Sequence, residues 1–261
     1  MFFTLNASSW VISTNASFLD ELCSGRAIMT TMASNFQQVR ERVAAACAAA
    51  ERPVNEVTLL AVSKTFGPEA VRELHACGQS AFGENYIQEA VEKMALLPDL
   101  PLQWHCIGPI QSNKTRLVAA HFDWAHTVDR LKIAQRLSDQ RPEHLPPLQV
   151  CIQVNLDGGL NKAGVAPEEA PALARAVAAL PRLRLRGLMS LPEPAEDYAA
   201  QYAVHLRARD LFEALNAQGL ALDTLSMGMS GDLEAAIEAG STMVRVGTAL
   251  FGGRARAARR A

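Results

Sequence analysis

Lys64 stands just beyond the apolar run Val57–Val62, in the segment Ala61-Val-Ser-Lys64-Thr65. A lysine at the exit of a buried strand is desolvated, and desolvation favours the free amine, the form that adds to an aldehyde. The same position also suits a lysine that lays its methylenes along a rim and keeps its ammonium in water. Two further segments have the composition of phosphate cradles. Gly247-Thr248 follows the run Met243–Val246 directly and offers backbone N–H groups without an obstructing side chain. Ser230-Gly231 opens a helix whose first turn holds Asp232 and Glu234. Each loop alone also reads as ordinary turn and capping chemistry. A lysine and two such loops together are more specific than any of the three.

Other residues near these segments keep two readings. Arg245 lies inside the otherwise apolar Met243-Val-Arg-Val246, where a lone charge is costly unless it faces a ligand or an internal carboxylate. His105, in Gln-Trp-His-Cys-Ile, either lines a site or packs as a hydrogen-bonded core histidine. Cys106 and Met229 have the character of packing residues. Met229 and Ser226 remain binding candidates by their place in Ser226-Met-Gly-Met-Ser230-Gly, as does Asn85 after Phe82-Gly-Glu.

These residues must be carried by regular elements. A helix is expected from Asn35, with Phe36, Val39, Val43, Cys47 and Ala50 on one face. Strand-like runs follow at Val57–Val62, Ser80–Phe82, Leu102–Ile107, Phe122–Thr127, Leu148–Asn155, Leu185–Ser190, Thr224–Met227 and Met243–Val246. Helical segments alternate with them, including Glu84–Leu97 and Pro167–Leu180, the latter with Pro167 at its first position and Glu168 and Glu169 in its first turn. Nearly all-apolar strands alternating with helices imply a parallel sheet buried on both faces. No GxGxxG follows the first strand, so the pattern favours a closed (β/α)8 TIM barrel, α/β in class, over a dinucleotide-binding fold. Such barrels work at the C-terminal ends of their strands and often bind phosphate after strands seven and eight.

The 261 residues, 49% of them hydrophobic, suit one such domain. A net charge of −2 with interspersed signs implies no nucleic-acid surface, and the cluster Arg254–Arg260 reads as a solvated end. Apolar runs are strand-sized, which excludes a membrane-spanning helix. The five cysteines are scattered with no CxxC pair, fitting a reducing cytoplasm rather than a disulfide framework or zinc site. No Asp, Glu and His cluster has metal-ligand spacing, so a metal-dependent barrel enzyme lacks support. Residues 1–28 lack the basic start of a signal peptide and are expected to be a non-native or disordered extension, with Met29 or Met32 as the biological start. The sequons at Asn6 and Asn15 would matter only in a secreted protein. The expected organisation is therefore 1–28 extension, 29–254 barrel and 255–261 basic tail.

At the same residues the chain resembles the pyridoxal phosphate homeostasis proteins, single-domain relatives of the alanine racemase N-terminal barrel. The motifs are AVSKT (Ala61–Thr65), FGENYIQE (Phe82–Glu89), HCIGPIQSNK (His105–Lys114), GLMS (Gly187–Ser190) and SMGMSGDLEAAIEAGSTMVRVGTALFG (Ser226–Gly252). The resemblance runs from about Asn35 to Arg254. Cys106 replaces the usual aromatic, and residues 157–160 read DGGL where polar residues are more usual; neither touches the lysine or the phosphate loops. The resemblance implies that pyridoxal 5′-phosphate (PLP) is held as an internal aldimine on Lys64, with Ser230, Gly247 and Thr248 on its phosphate. It further implies that Asn85 lies near the cofactor ring and Arg245 opposite the pyridine nitrogen. Lys114 and Lys162, in connecting segments, are expected to be accessory. The implied role is intracellular vitamin B6 homeostasis and delivery to apo-enzymes, by a monomer or weak dimer; the alternative is an amino-acid racemase. Alanine racemase draws its second acid–base group from a separate domain, whereas nine residues follow Gly252 here, so little turnover is expected.

Overall fold

A computed structural model describes residues 16–157 and 163–252. In chain order its elements are α1 (Ala16–Ala49), β1 (Thr58–Val62), α2 (Pro68–Ala76), β2 (Ala81–Glu84), α3 (Ile87–Ala95) and β3 (Gln103–Cys106). Then come α4 (Thr115–His121), β4 (Trp124–Val128), α5 (Leu131–Gln140), β5 (Leu148–Val154), α6 (Ala170–Ala178) and β6 (Leu183–Ser190). The last are α7 (Tyr198–Ala217), β7 (Thr224–Ser226), α8 (Leu233–Glu238), β8 (Met243–Val246) and α9 (Thr248–Phe251). The strands pair in parallel in sequence order, and β8 closes on β1 to give the expected barrel.

Each crossover helix buries one stripe. On α1, Met32, Phe36, Val39, Val43 and Cys47 recur every three or four residues and are buried. On α5, Ile133, Ala134 and Leu137 do the same. The principal hydrophobic cluster joins such stripes to outward strand residues such as Ala61, Phe82, Val150 and Val244. Two small clusters stand apart from it, one of Leu60, Ala81 and Met243 with Ile107 against them, the other of Trp124, Cys151 and Met189. They fill the barrel interior.

Most strand ends shift by one or two residues from expectation, and three boundaries have a clear physical reason. β2 runs on to Glu84, because Gly83 and Glu84 pair with His105 and Cys106 of β3. A Gly-Glu pair looks like a turn in isolation, yet here it is wholly buried. The helix expected at Pro167 starts at Ala170, with Pro171 in its first turn and Glu168 and Glu169 ahead of it. Finally, α1 starts at Ala16 rather than near Asn35; residues 16–34 contain no proline to interrupt a helical backbone. The expected division after residue 28 thus falls within α1, whereas residues 1–15 and the tail 255–261 lie outside the described residues. No helix among the described residues is long and apolar enough to cross a membrane.

One glycine is required by the closeness of neighbouring strands. At Gly187, where β6 begins to pair with β7, an added Cβ would lie 1.7 Å from the carbonyl oxygen of Thr224. Gly187→Ala must therefore push the two strands apart. Urea unfolding should show a loss on the order of 3 kcal/mol, while an unchanged midpoint would contradict the close approach.

Candidate functional site

A cavity of about 340 Å³ opens at the C-terminal ends of the strands. Lys64 enters it from the turn after β1, half-buried, and Asn85 enters as the first residue after β2. Ile107 and Met189 form apolar wall next to Leu191, from the ends of β3 and β6. Met229, Ser230 and Gly231 come from the loop after β7, Arg245 from β8, and Gly247 and Thr248 from the turn that follows it. Lys64, Asn85, Met229, Ser230, Arg245, Gly247 and Thr248 are thus brought together as the sequence pattern expected. His105 and Ser226 are not on the cavity wall.

The β7 loop is shaped from several sides. Gly228 has φ +89° and no room for a side chain, since a Cβ would lie 2.5 Å from that of Ala236. Its carbonyl accepts the Arg245 N–H at 3.0 Å, which turns the chain back over the cavity. Asp232 does not cap α8 with its side chain. One of its oxygens accepts the Met229 N–H at 2.6 Å, and the other lies 2.9 Å from Nε2 of the buried His205. Burial opposes the charge of Asp232, but the bonds from His205 and Met229 outweigh it and hold the carboxyl below its usual range. From α1, Arg42 donates to the Ser230 carbonyl at 3.0 Å while gripping Glu234 at 2.8 and 2.9 Å. Asn35 donates to the carbonyl of Leu250 at 3.1 Å. A Cβ on Gly231 would meet nothing within 4 Å, whereas one on Gly247 would lie 3.3 Å from the Val62 carbonyl oxygen.

The β1 and β2 exits are joined by a buried ion pair. Lys93 of α3 donates to Glu84 at 2.6 Å and to the Ser63 carbonyl at 2.8 Å, and the Ser63 hydroxyl donates to the same Glu84 oxygen at 2.7 Å. Ser63 precedes Lys64 and Glu84 precedes Asn85, so this triad fixes the backbone that presents both cavity residues. Nothing in the spacing of Glu84 and Lys93 pointed to it, because nine residues separate the two across a strand end and a helix.

Arg245 is only 5% exposed. Its Nη1 donates to the carbonyl and hydroxyl of Ser226 at 2.6 and 2.9 Å, and its Nη2 to the carbonyl of Ser190 at 2.8 Å. Burial pushes its pKa down to about 10, with the nearby Asp232 opposing, so the cation persists at neutral pH. Among the described residues no carboxylate hydrogen-bonds it, and neutral acceptors stand where an internal salt bridge was the alternative. Among the described lining residues the charged groups are Lys64 and Arg245, without Asp or Glu, a formal charge of +2. The Asn85 Oδ1 is buried there without a hydrogen-bond partner.

Beneath Arg245 lie the two expected residues that the cavity does not reach. Ser226 is fully buried, and its hydroxyl lies 3.0 Å from Nδ1 of His126. His126 Nε2 in turn lies 2.9 Å from Nδ1 of His105, whose Nε2 is 3.0 Å from Oε1 of Gln103. His105 also stacks on Trp124 at 5.2 Å. The β3 pleat turns it inward, where it is fully buried and off the cavity wall; it is a hydrogen-bonded core histidine. His126 carried no signal in the sequence, because an isolated histidine in an apolar strand has no spacing to interpret. Burial likewise pushes the Cys106 thiol up to about 12, consistent with packing.

Burial holds His105 down to about 3 and His126 well below its ordinary value. In the unfolded chain each histidine titrates near ~6.5, so between the two values the unfolded state binds more protons and stability must fall with pH. Acidification from pH 7.5 to 5 should therefore lower the urea midpoint. The His105 share of that loss should be roughly 1 to 2 kcal/mol and should disappear in His105→Gln. An equal loss in the variant would contradict the buried neutral state.

The family described as alanine racemase, N-terminal domain, matches residues 31–255. A pyridoxal phosphate homeostasis protein of Pseudomonas aeruginosa is 62% identical over 226 residues, covering 87% of this chain and 97% of its own. One from Escherichia coli is 53% identical over 229 residues, covering 87% and 98%. PipY of Synechococcus elongatus, in a structure with PLP bound, is 39% identical with a TM-score of 0.75, covering 85% of this chain and 100% of its own. An alanine racemase from Corynebacterium glutamicum, 18% identical with a TM-score of 0.61, covers 89% of this chain and 63% of its own and shares the fold.

Proposed function

The chain belongs to the alanine racemase N-terminal domain family and, within it, to the pyridoxal phosphate homeostasis proteins, and on that premise we propose that it binds PLP in the cavity and carries it for delivery to apo-enzymes. The observation that carries this reading is the cavity itself, where one amine and one buried guanidinium face two glycine-bearing loops with no carboxylate among the described lining residues. A dianionic phosphate and an aromatic ring bearing acceptor atoms match that wall. The unpartnered Asn85 Oδ1 and the open space at Gly231 are features that a bound group would use.

PLP, when bound, supplies an aldehyde that a free amine adds to reversibly with loss of water. Lys64 is the amine in reach of the cavity and the proposed covalent anchor. Ser230, Gly247 and Thr248 are the proposed phosphate ligands, since the first N–H groups of a helical turn have no acceptor within it and charge-assisted hydrogen bonds are the stronger kind. Asn85 and Arg245 are proposed to contact the ring, Arg245 at the pyridine nitrogen. His105, Ser226 and Met229 were expected to bind as well. Met229 keeps a wall position, and the other two are proposed to act through Arg245.

A carrier fits better than a racemase. Racemisation needs two acid–base groups on opposite faces of the substrate carbon. Lys64 supplies one amine, and no His, Tyr, Cys, Asp or Glu lines the cavity among the described residues. Arg245 offers only donors and a permanent charge, which disfavours protonation of an acceptor atom held against it.

Two measurements test this reading. Purified protein loaded with PLP should absorb in the visible range, and borohydride should trap the cofactor on Lys64; Lys64→Ala should lose the trapped adduct. Trapping at Lys114 instead would remove Lys64 as anchor. Incubation of the loaded protein with L-alanine should give neither D-isomer nor α-proton exchange at enzymatic rates, and turnover on the order of 1 s⁻¹ would establish the racemase instead.

A further inference from the structure

We propose that His126, backed by His105, is a positioning residue for the cavity: a one-way string of hydrogen bonds through the barrel interior makes the Ser226 hydroxyl an acceptor for Arg245 and so decides which edge of the guanidinium is offered to a ligand. The functional part rests on the reading that Arg245 contacts the bound cofactor.

The string joins strands that are not neighbours. Gln103 and His105 are on β3, His126 on β4, Ser226 on β7 and Arg245 on β8, so the 3.0 Å step from His126 to Ser226 crosses the barrel. His105, His126 and Ser226 are all fully buried. Bulk solvent does not reach them, so each hydrogen needs a partner within the string.

The direction follows from the two ends. Arginine only donates, so Ser226 Oγ accepts from Nη1 at 2.9 Å. At the far end Gln103 Oε1 only accepts, so His105 Nε2 carries a proton. A neutral His105 then has a lone pair on Nδ1, which requires a proton on His126 Nε2 and a lone pair on its Nδ1. That lone pair takes the Ser226 hydroxyl hydrogen, which would otherwise have no acceptor in a fully buried place. Every donor points away from the cavity.

Adding a proton to either ring would place two donors face to face and a second cation near Arg245. Among the described residues no carboxylate hydrogen-bonds the string. Arg245 stands above it, with Asp232 and Cys151 acting on the Arg245 charge; Cys151 also packs with Trp124, on which His105 stacks. Below, Arg186 lies 4.7 Å over the Trp124 ring and is paired with Asp223. Both histidines thus stay neutral, each with its hydrogen on Nε2.

The consequence lies at Arg245. Ser226 takes both Nη1 hydrogens and the Ser190 carbonyl takes one on Nη2. The Nε hydrogen and the second Nη2 hydrogen are left without a protein acceptor among the described residues, and Arg245 lines the cavity. If the Ser226 hydroxyl turned its hydrogen toward Arg245, Nη1 would keep only the Ser226 carbonyl, and the guanidinium, held then by two carbonyls, would be fixed less firmly. Hydrogen-bond partners that orient metal ligands change affinity by about 10- to 100-fold when removed, and an effect of that order is expected for an orienting partner of Arg245.

Nitrogen-15 NMR of the histidine rings in the full chain tests the string without any ligand. His105 and His126 should both carry hydrogen on Nε2 alone and should not titrate between pH 5 and 9. Titration of either within that range, or a hydrogen on Nδ1 of either, would overturn the proposal. PLP titration of two variants tests the function. His126→Asn keeps an acceptor oxygen close to where Nδ1 stood, and His126→Leu does not. The Leu variant should bind PLP about 10- to 100-fold more weakly while the Asn variant stays near the parent. The reverse order, which packing alone would give, would overturn the positioning role. If either variant fails to fold, the NMR result on the parent decides. Absence of PLP binding by the parent would refute the proposed function instead, and leave the string to be judged by NMR.

Discussion

Closure of the ring between its first and last strands is the constraint on which this molecule depends. Thr58, Leu59, Leu60 and Ala61 of β1 pair in parallel with Met243, Val244, Arg245 and Val246 of β8. Without that pairing β1 and β8 would each expose a row of unmet N–H and C=O groups, and their ends would not meet. With it, the turn carrying Lys64 and the turn carrying Gly247 and Thr248 become neighbours, although they come from opposite ends of the barrel sequence. The Val62 carbonyl lies so near Gly247 that a side chain there would press on it. An amine and a potential phosphate loop are thus placed side by side by backbone hydrogen bonds alone.

The barrel interior resolves a second problem, how to keep a cation dry beneath that face. Arg245 is directly opposite Leu60 in the β1–β8 register and lies between two apolar clusters, Leu60 with Ala81 and Met243 on one side and Trp124 with Cys151 and Met189 on the other. A buried charge in such surroundings is tolerated when hydrogen bonds replace its hydration. Here the acceptors are neutral, two carbonyls and a hydroxyl, so the charge is supported without being cancelled. A carboxylate in the same place would hold the guanidinium as firmly and erase the positive potential that an anionic ligand needs.

The helices do more than cover the sheet. Arg42 of α1 holds the Ser230 carbonyl, Lys93 of α3 holds the Ser63 carbonyl, and His205 of α7 holds the carboxylate that restrains the Met229 N–H. In each case a side chain on the outer layer fixes a backbone group in a loop of the cavity. Loops after strands are ordinarily the mobile part of a barrel. These are tied to the rigid layer behind them, which keeps the mouth of the cavity in one arrangement.

Local sequence was sufficient for the barrel, for the strand cores and for most of the cavity wall. Apolar runs of strand length alternating with helical stripes have few other solutions. A residue just past a strand must lie at the end face, which is why Lys64, Asn85, Ser230, Gly247 and Thr248 were legible together. What escaped was decided between strands. Whether an inward residue reaches the cavity or stops a layer below depends on strand stagger around the ring, which no single segment contains; His105 and Ser226 therefore appeared closer to the site than they are. The partners of Arg245 were hidden for the same reason, since Ser190 and Ser226 come from two different strands and His126, which meets the Ser226 hydroxyl, from a third. So was the end of β2, where Gly83-Glu84 has the composition of a turn and becomes strand only because His105, Cys106 and Lys93 meet it. Chain-local physics determined which residues arrive at the mouth of the barrel, and only the closed ring decided their depth and their hydrogen-bond partners, because both are properties of distances between strands rather than along them.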